Sequence, residues 1–169
     1  MNNHDTDLAH PTHKYALDVV EGRIVAGPHV RAACKRHLDD LKEAPSRGFV
    51  FSAAKADRAL KFFPLVLKLN GGGFEGEPFN LFPPQQFVIG SLFGWVDSKE
   101  NRRYRISYIE QGKGSGKSPL AAGIGIYGMI GDNEPRAEIY SAASKRDQAM
   151  ILSAMLLHSL RCLSRFRKE

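Results

Sequence analysis

Ile109-Glu110-Gln111-Gly112-Lys113-Gly114-Ser115-Gly116-Lys117-Ser118 is the stretch whose reading decides the fold. Upstream of it, Tyr104, Ile106 and Tyr108 alternate with Arg105, Ser107 and Ile109, which predicts a strand with at least one buried face. Downstream, the apolar run Leu120 to Ile130 predicts a buried helix, and Ala137-Glu138-Ile139-Tyr140-Ser141-Ala142 a second strand. Strand, loop, helix, strand is a βαβ unit, so the expected fold is α/β with parallel strands and a right-handed crossover.

A glycine-rich turn between a strand and a helix is where a phosphate-binding loop belongs. Glycines let the backbone wrap a phosphate with several N–H groups pointing inward, and the helix N-terminus adds partial positive charge. Gly112, Gly114 and Gly116 would supply that freedom, with Ser115 between them. Lys117 would reach the terminal phosphates as a point charge, the Ser118 hydroxyl would ligate Mg²⁺, and Lys113 adds a second cation at the loop's start. The full pattern asks for glycine five residues before Gly116, where this chain has Gln111. The competing reading is a glycine-rich surface turn. Pro119 suits the first helical turn. Gly123, Gly125 and Gly128 follow the loop and read as permitting close packing of a buried helix rather than as a dinucleotide motif.

Working outward, Gly27-Pro28 opens a helix on which Val30, Ala33, Cys34, Leu38 and Leu41 recur at helical spacing, ending near Pro45. Arg36-His37 reads as a surface pair on that helix. Ala56, Leu60, Phe63 and Leu67 form a second such pattern, which Pro64 should kink or end. Asn70-Gly71-Gly72-Gly73 breaks the chain, and Pro83-Pro84 opens a helix through Phe87, Val88, Leu92 and Phe93 to Gly94. Residues 1–14, with His4, His10 and His13, have no apolar period and read as a flexible leader rather than a metal site.

The composition fits one soluble domain with a core: 169 residues, 43% apolar and 25% charged. Cys34 and Cys162 are too few for a zinc site or a disulfide framework and read as reduced thiols. The longest apolar run, Pro119 to Gly131, is too short and glycine-interrupted to span a bilayer, and no signal peptide is evident, so a cytoplasmic protein is expected. The net charge of +6 points toward phosphate-bearing partners, but it is concentrated: residues 145–169 hold six basic and two acidic residues.

Several motifs in order resemble the N-terminal part of a tailed-phage terminase large subunit, the ATP-driven motor that packages viral DNA. They run from Val20-Glu21-Gly22-Arg23-Ile24-Val25-Ala26-Gly27 and Ala33-Cys34-Lys35-Arg36-His37-Leu38 through Pro78-Phe79-Asn80-Leu81-Phe82-Pro83-Pro84-Gln85 and Phe93-Gly94-Trp95. The loop, Ala137 to Ser144 and Asp147-Gln148-Ala149 complete them, covering about residues 15–152. The resemblance implies an incomplete P-loop NTPase core with a helical N-terminal segment, and ATP with Mg²⁺ as cofactors. Its implied partners are double-stranded phage DNA, the small terminase subunit, the portal protein and other motor subunits, in the cytoplasm of a bacterial host. Gln85 falls where such motors read the adenine edge, and Lys113 where they carry a basic residue that senses phosphate. Pro84 replaces the family's usual Trp, and Ser115 a common Asn.

The organisation expected from both readings is a leader (1–14), a helical segment (15–75), a partial P-loop ATPase domain (76–152) and a basic tail (153–169). The resemblance also implies an acidic residue for Mg²⁺ and a carboxylate that orients water, for which the sequence offers no candidate, so weak binding and poor hydrolysis are expected of the chain alone. No catalytic residue is assigned. After Leu152 the family would continue like Phe-Arg-Asp-Ala-Val-Ala, whereas the chain reads Ser153-Ala154-Met155-Leu156-Leu157-His158, as a one-nucleotide frameshift would give. The alternative keeps Met150, Leu152, Met155, Leu156, Leu160 and Leu163 as one face of a basic amphipathic helix, in a short non-hydrolysing nucleotide-binding or DNA-binding module.

Overall fold

The computed structural model describes residues 9–69, 72–132, 136–140, 142, 150 and 154. Its helices are α1 (Pro11–Val20), α2 (Pro28–Glu43), α3 (Ala53–Val66), α4 (Pro83–Gly94) and α5 (Lys117–Ile130). Two three-residue strands, β1 (Phe49–Phe51) and β2 (Trp95–Asp97), pair antiparallel with Phe49 opposite Asp97 and Phe51 opposite Trp95. The chain divides into two compact units, Met1–Leu60 with Phe82–Tyr108, and Lys61–Leu81 with Ile109–Glu169.

Most helix boundaries follow the punctuation of the sequence. Pro28 sits at the first position of α2 after the extended Gly27, where a missing N–H breaks no intrahelical bond. Pro83 opens α4 in the same way. Pro64 lies inside α3, which ends two residues later at Val66.

The first unit packs α1 against α2 and α4. Tyr15, Ala16 and Val19 of α1 meet Cys34 of α2, with Leu38 and Phe87 partly buried beside them. The approach of α1 to α4 is close enough that a Cβ built on Gly90 would lie 1.8 Å from Thr12 Oγ1. After β2 the chain turns back, the Asp97 carboxylate accepting from the backbone N–H groups of Lys99 and Asn101, and Arg103 N–H donating to Trp95 O at 2.9 Å.

In the second unit the last turn of α3 and α5 share a core of Phe63, Leu67, Phe79, Leu120, Ile126 and Tyr127. Phe63 meets the Phe79 ring edge-on at 5.4 Å, and Phe62 meets Tyr127 at 5.1 Å. A Cβ on Gly123 would lie 2.4 Å from the Phe63 ring, so this glycine does serve close packing, of helix on helix.

Three expectations are corrected. The parallel βαβ sheet is absent among the described residues: 104–110 and 137–140 carry no strand, and the one sheet is antiparallel. A strand exists only through hydrogen bonds to a neighbour, and alternation cannot say whether one is present. Ile106 and Tyr108, the residues meant for the buried face, are 90% and 87% exposed. The leader is also shorter than read, because α1 starts at Pro11 with His10 capping it, Nδ1 accepting from Thr12 N–H at 3.2 Å. His37, read as a surface residue, is buried: the inward stripe of α2 is Cys34, His37 and Asp40, and Val30 is exposed. The tail at 153–169 and residues 1–8 lie outside the described residues, Ala154 excepted.

Candidate functional site

Residues 113–116 turn the chain into α5. Gly114 and Gly116 both take positive φ, at 83° and 75°, the left-handed region that costs any other residue free energy. Gly116 is the N-cap of α5, and no side chain caps that helix. The first bond into the helix is Leu120 N–H to Gly116 O at 3.0 Å, and Pro119 has no N–H, so the amides of Lys117 and Ser118 have no intrahelical acceptor. These amides and the α5 dipole together favour an anion.

Side chains brace the turn from within. Ser115 Oγ lies 2.7 Å from Gly112 O and 3.2 Å from Gln111 Oε1, so its one proton is shared between two acceptors. Lys117 Nζ folds back to donate to Gln111 O at 3.3 Å, holding its charge over the turn. Gln111, the departure from the glycine pattern, thus contributes an acceptor to the loop. Gly112, Lys113, Gly114, Ser115, Lys117 and Ser118 are exposed, as a site for a charged ligand requires.

Gln85 lies in the first unit and the loop in the second. It occupies the first turn of α4, where its buried side chain accepts from Phe82 N–H at 3.0 Å through Oε1. This is a helix-capping contact that satisfies an otherwise orphaned donor.

A second constellation, missed at the level of sequence, fills the middle of the first unit. His37 Nε2 lies 2.8 Å from His13 Nδ1, and Trp95 Nε1–H donates to His37 Nδ1 at 3.1 Å. Phe51 packs on both rings, with centroids 4.4 Å from His13 and 5.6 Å from His37. Burial pushes the His37 imidazole down to about 3, and His13 adds to the shift. Three residues along α2, the buried Asp40 pairs with Arg47 and, at 2.8 Å, with Arg103. The Arg103 guanidinium lies 5.2 Å from each of the Phe49, Trp95 and Tyr104 rings. The available signal was spacing: His37 falls one turn after Cys34, on the inward face.

No group of three or more His, Cys, Asp or Glu side chains is arranged to hold a metal ion among the described residues. Nor, among them, is any helix long and apolar enough to cross a membrane. Residues 83–166 match the family model described as "Terminase large subunit, ATPase domain". No curated protein and no solved structure matches the chain.

Proposed function

We propose that this chain, which belongs to the terminase large subunit family through an ATPase domain at residues 83–166, binds ATP with Mg²⁺ at residues 112–118 as part of a DNA-packaging motor. The observation that carries this reading is the loop: left-handed glycines at 114 and 116, an uncapped helix N-terminus and Lys117 folded over the turn. Backbone amides would hold the phosphates, Lys117 and Lys113 would neutralise their charge, and the Ser118 hydroxyl would take one Mg²⁺ position. Bound ATP supplies the phosphoanhydride whose cleavage drives such a motor, and Mg²⁺ draws charge from it. The family resemblance is what assigns Gln85 to adenine; its buried Oε1 accepts from Phe82 N–H, and the phosphate proposal rests on residues 112–118 alone.

Family membership also supports double-stranded DNA, the small terminase subunit, the portal protein and other motor subunits as partners. The match includes residues 153–166, which supports reading the tail in frame with the rest of the domain.

The test is a titration of ATP·Mg²⁺ into the chain and into Lys117→Ala, with turnover measured alongside. Loss of the lysine's charge should weaken binding at least about tenfold, the equivalent of one charge-assisted hydrogen bond of roughly 1.5–3 kcal/mol. Equal affinity of the two proteins would reject the loop as the site. Binding without turnover would make this chain a nucleotide-holding part that needs groups from elsewhere for hydrolysis.

A further inference from the structure

The histidines of the first unit form a directed chain of hydrogen bonds. Trp95 Nε1 can only donate, so Nδ1 of His37 accepts and the neutral ring carries its hydrogen on Nε2. That hydrogen points at Nδ1 of His13, 2.8 Å away, so the His13 lone pair is also taken. His10 repeats the arrangement at the start of α1, with Nδ1 accepting from Thr12 N–H and Nε2 3.3 Å from the Asp57 carboxylate. Each ring already accepts on its basic nitrogen. A further proton can enter only by displacing a donor.

Around His37 burial outweighs the one carboxylate that would favour a proton, Asp40. Phe51 of β1, Phe87 of α4 and Trp95 of β2 face His37, and Ser91 Oγ lies 3.4 Å from its Nδ1. The charged and titratable groups around His37 are His13 and His10 of α1, Asp40 of its own helix and Arg103 after β2, with Asp57 of α3 behind His10. The Asp40 carboxylate is already committed to Arg103 and Arg47.

Two of the three rings lie on α1 or at its cap and the third on α2, so the chain ties α1 to the rest of its unit. We propose that the His37–His13 hydrogen bond is a proton-operated latch on α1, closed while His37 is neutral and released by acid, uncovering the apolar face of α1 and the Cys34 thiol beneath it. Burial holds His37 deprotonated in the closed form down to about pH 3, whereas a solvated imidazole protonates near 6.5. Between those values the released form binds a proton that the closed form refuses, so acidification favours release. The opening constant should grow about tenfold per pH unit for the one proton that His37 takes up.

The thiol supplies the readout, because Cys34 is fully buried against Tyr15, Ala16 and Val19. The full chain is labelled with 4,4′-dithiodipyridine, which reacts in acid as well as at neutral pH. Mass spectrometry separates the Cys34 and Cys162 peptides, and each rate is divided by that of the denatured chain at the same pH. The normalised Cys34 rate should rise about tenfold per pH unit below about 6.5, and this slope should fall by about one proton in His37→Gln. Amide exchange of the unsubstituted chain reads the latch independently of whether that variant folds: protection of residues 11–20 should be lost in acid while residues 117–130 keep theirs. A Cys34 rate flat between about pH 7 and about pH 5, or equal loss of protection in α1 and α5, would overturn the proposal.

Discussion

Gly90→Ala tests the packing that seats α1, and its cost can be worked from two opposing terms. A methyl at position 90 would lie 1.8 Å from Thr12 Oγ1, 3.0 Å from Thr12 Cβ and 3.2 Å from Thr12 Cγ2, where ordinary carbon contacts need about 3.5–4.0 Å. Thr12 is fully buried, so relief requires α1 to move rather than one side chain to swing. Overpacking of this kind costs about 1–3 kcal/mol, and the overlap argues for the upper part of that range. Against it, alanine gains about 1 kcal/mol over glycine inside a helix. The net expectation is a loss of about 1–2 kcal/mol, which lowers a urea midpoint by roughly 0.5–1 M at ordinary slopes. Trp95, fully buried in the same unit, reports the transition by fluorescence. Thr12→Ala removes two of the three clashing atoms, so in that background Gly90→Ala should cost about 1 kcal/mol less. If Gly90→Ala is neutral or stabilising, or the two changes simply add, the helices are not in the contact described and the reasoning fails.

Three further outcomes rest on the same fold. Asp40→Asn leaves the largely covered Arg103 guanidinium without its counter-charge, so the first unit should lose about 3 kcal/mol in the same fluorescence assay. Gly116→Ala forces a side chain into the left-handed region at about 1–2 kcal/mol and should weaken ATP·Mg²⁺ about tenfold by titration calorimetry, whereas Gly112→Ala, with open space around it, should bind nearly as the parent does. Burial pushes the Cys34 thiol up to about 11, so at about pH 8 the native thiol should react with iodoacetamide at least about a hundredfold more slowly than in the unfolded chain. The sign follows from linkage: the unfolded thiol ionises first, so this contribution to stability is intact below about pH 9 and declines as pH rises toward 11.

What could be read from the sequence was what is decided locally. A helix satisfies its own backbone, so Pro28, Pro83 and Gly116 suffice to announce α2, α4 and α5, and the glycines at 114 and 116 announce a left-handed turn between them. Features that depend on distant partners were not legible. Phe49–Phe51 is too short to carry a period, and it becomes a strand only because Trp95–Asp97 lies beside it. Tyr104 to Ile109 carries a period and forms no strand among the described residues. The histidine chain escaped for the same reason, since His13 meets His37, 24 positions on, and His37 meets a tryptophan 58 positions beyond itself. For Gln85 the residue type is plain from the sequence, while its capping bond to Phe82 emerges only from the fold.

The stretch after β2 that joins no sheet has a practical side. Proteases take their substrates as extended chain, threading several residues into a cleft as though adding a strand. Residues 106–110 lie outside any helix or strand, and the exposed Arg105 stands at their head as a tryptic site. A first cut there would separate the chain up to Arg105, with its histidines and Gln85, from the part carrying residues 112–118. Saturating nucleotide, if it tightens the loop a few residues downstream, would slow that cut, and a protease ladder on a gel would then serve as a binding assay that needs no label and no turnover.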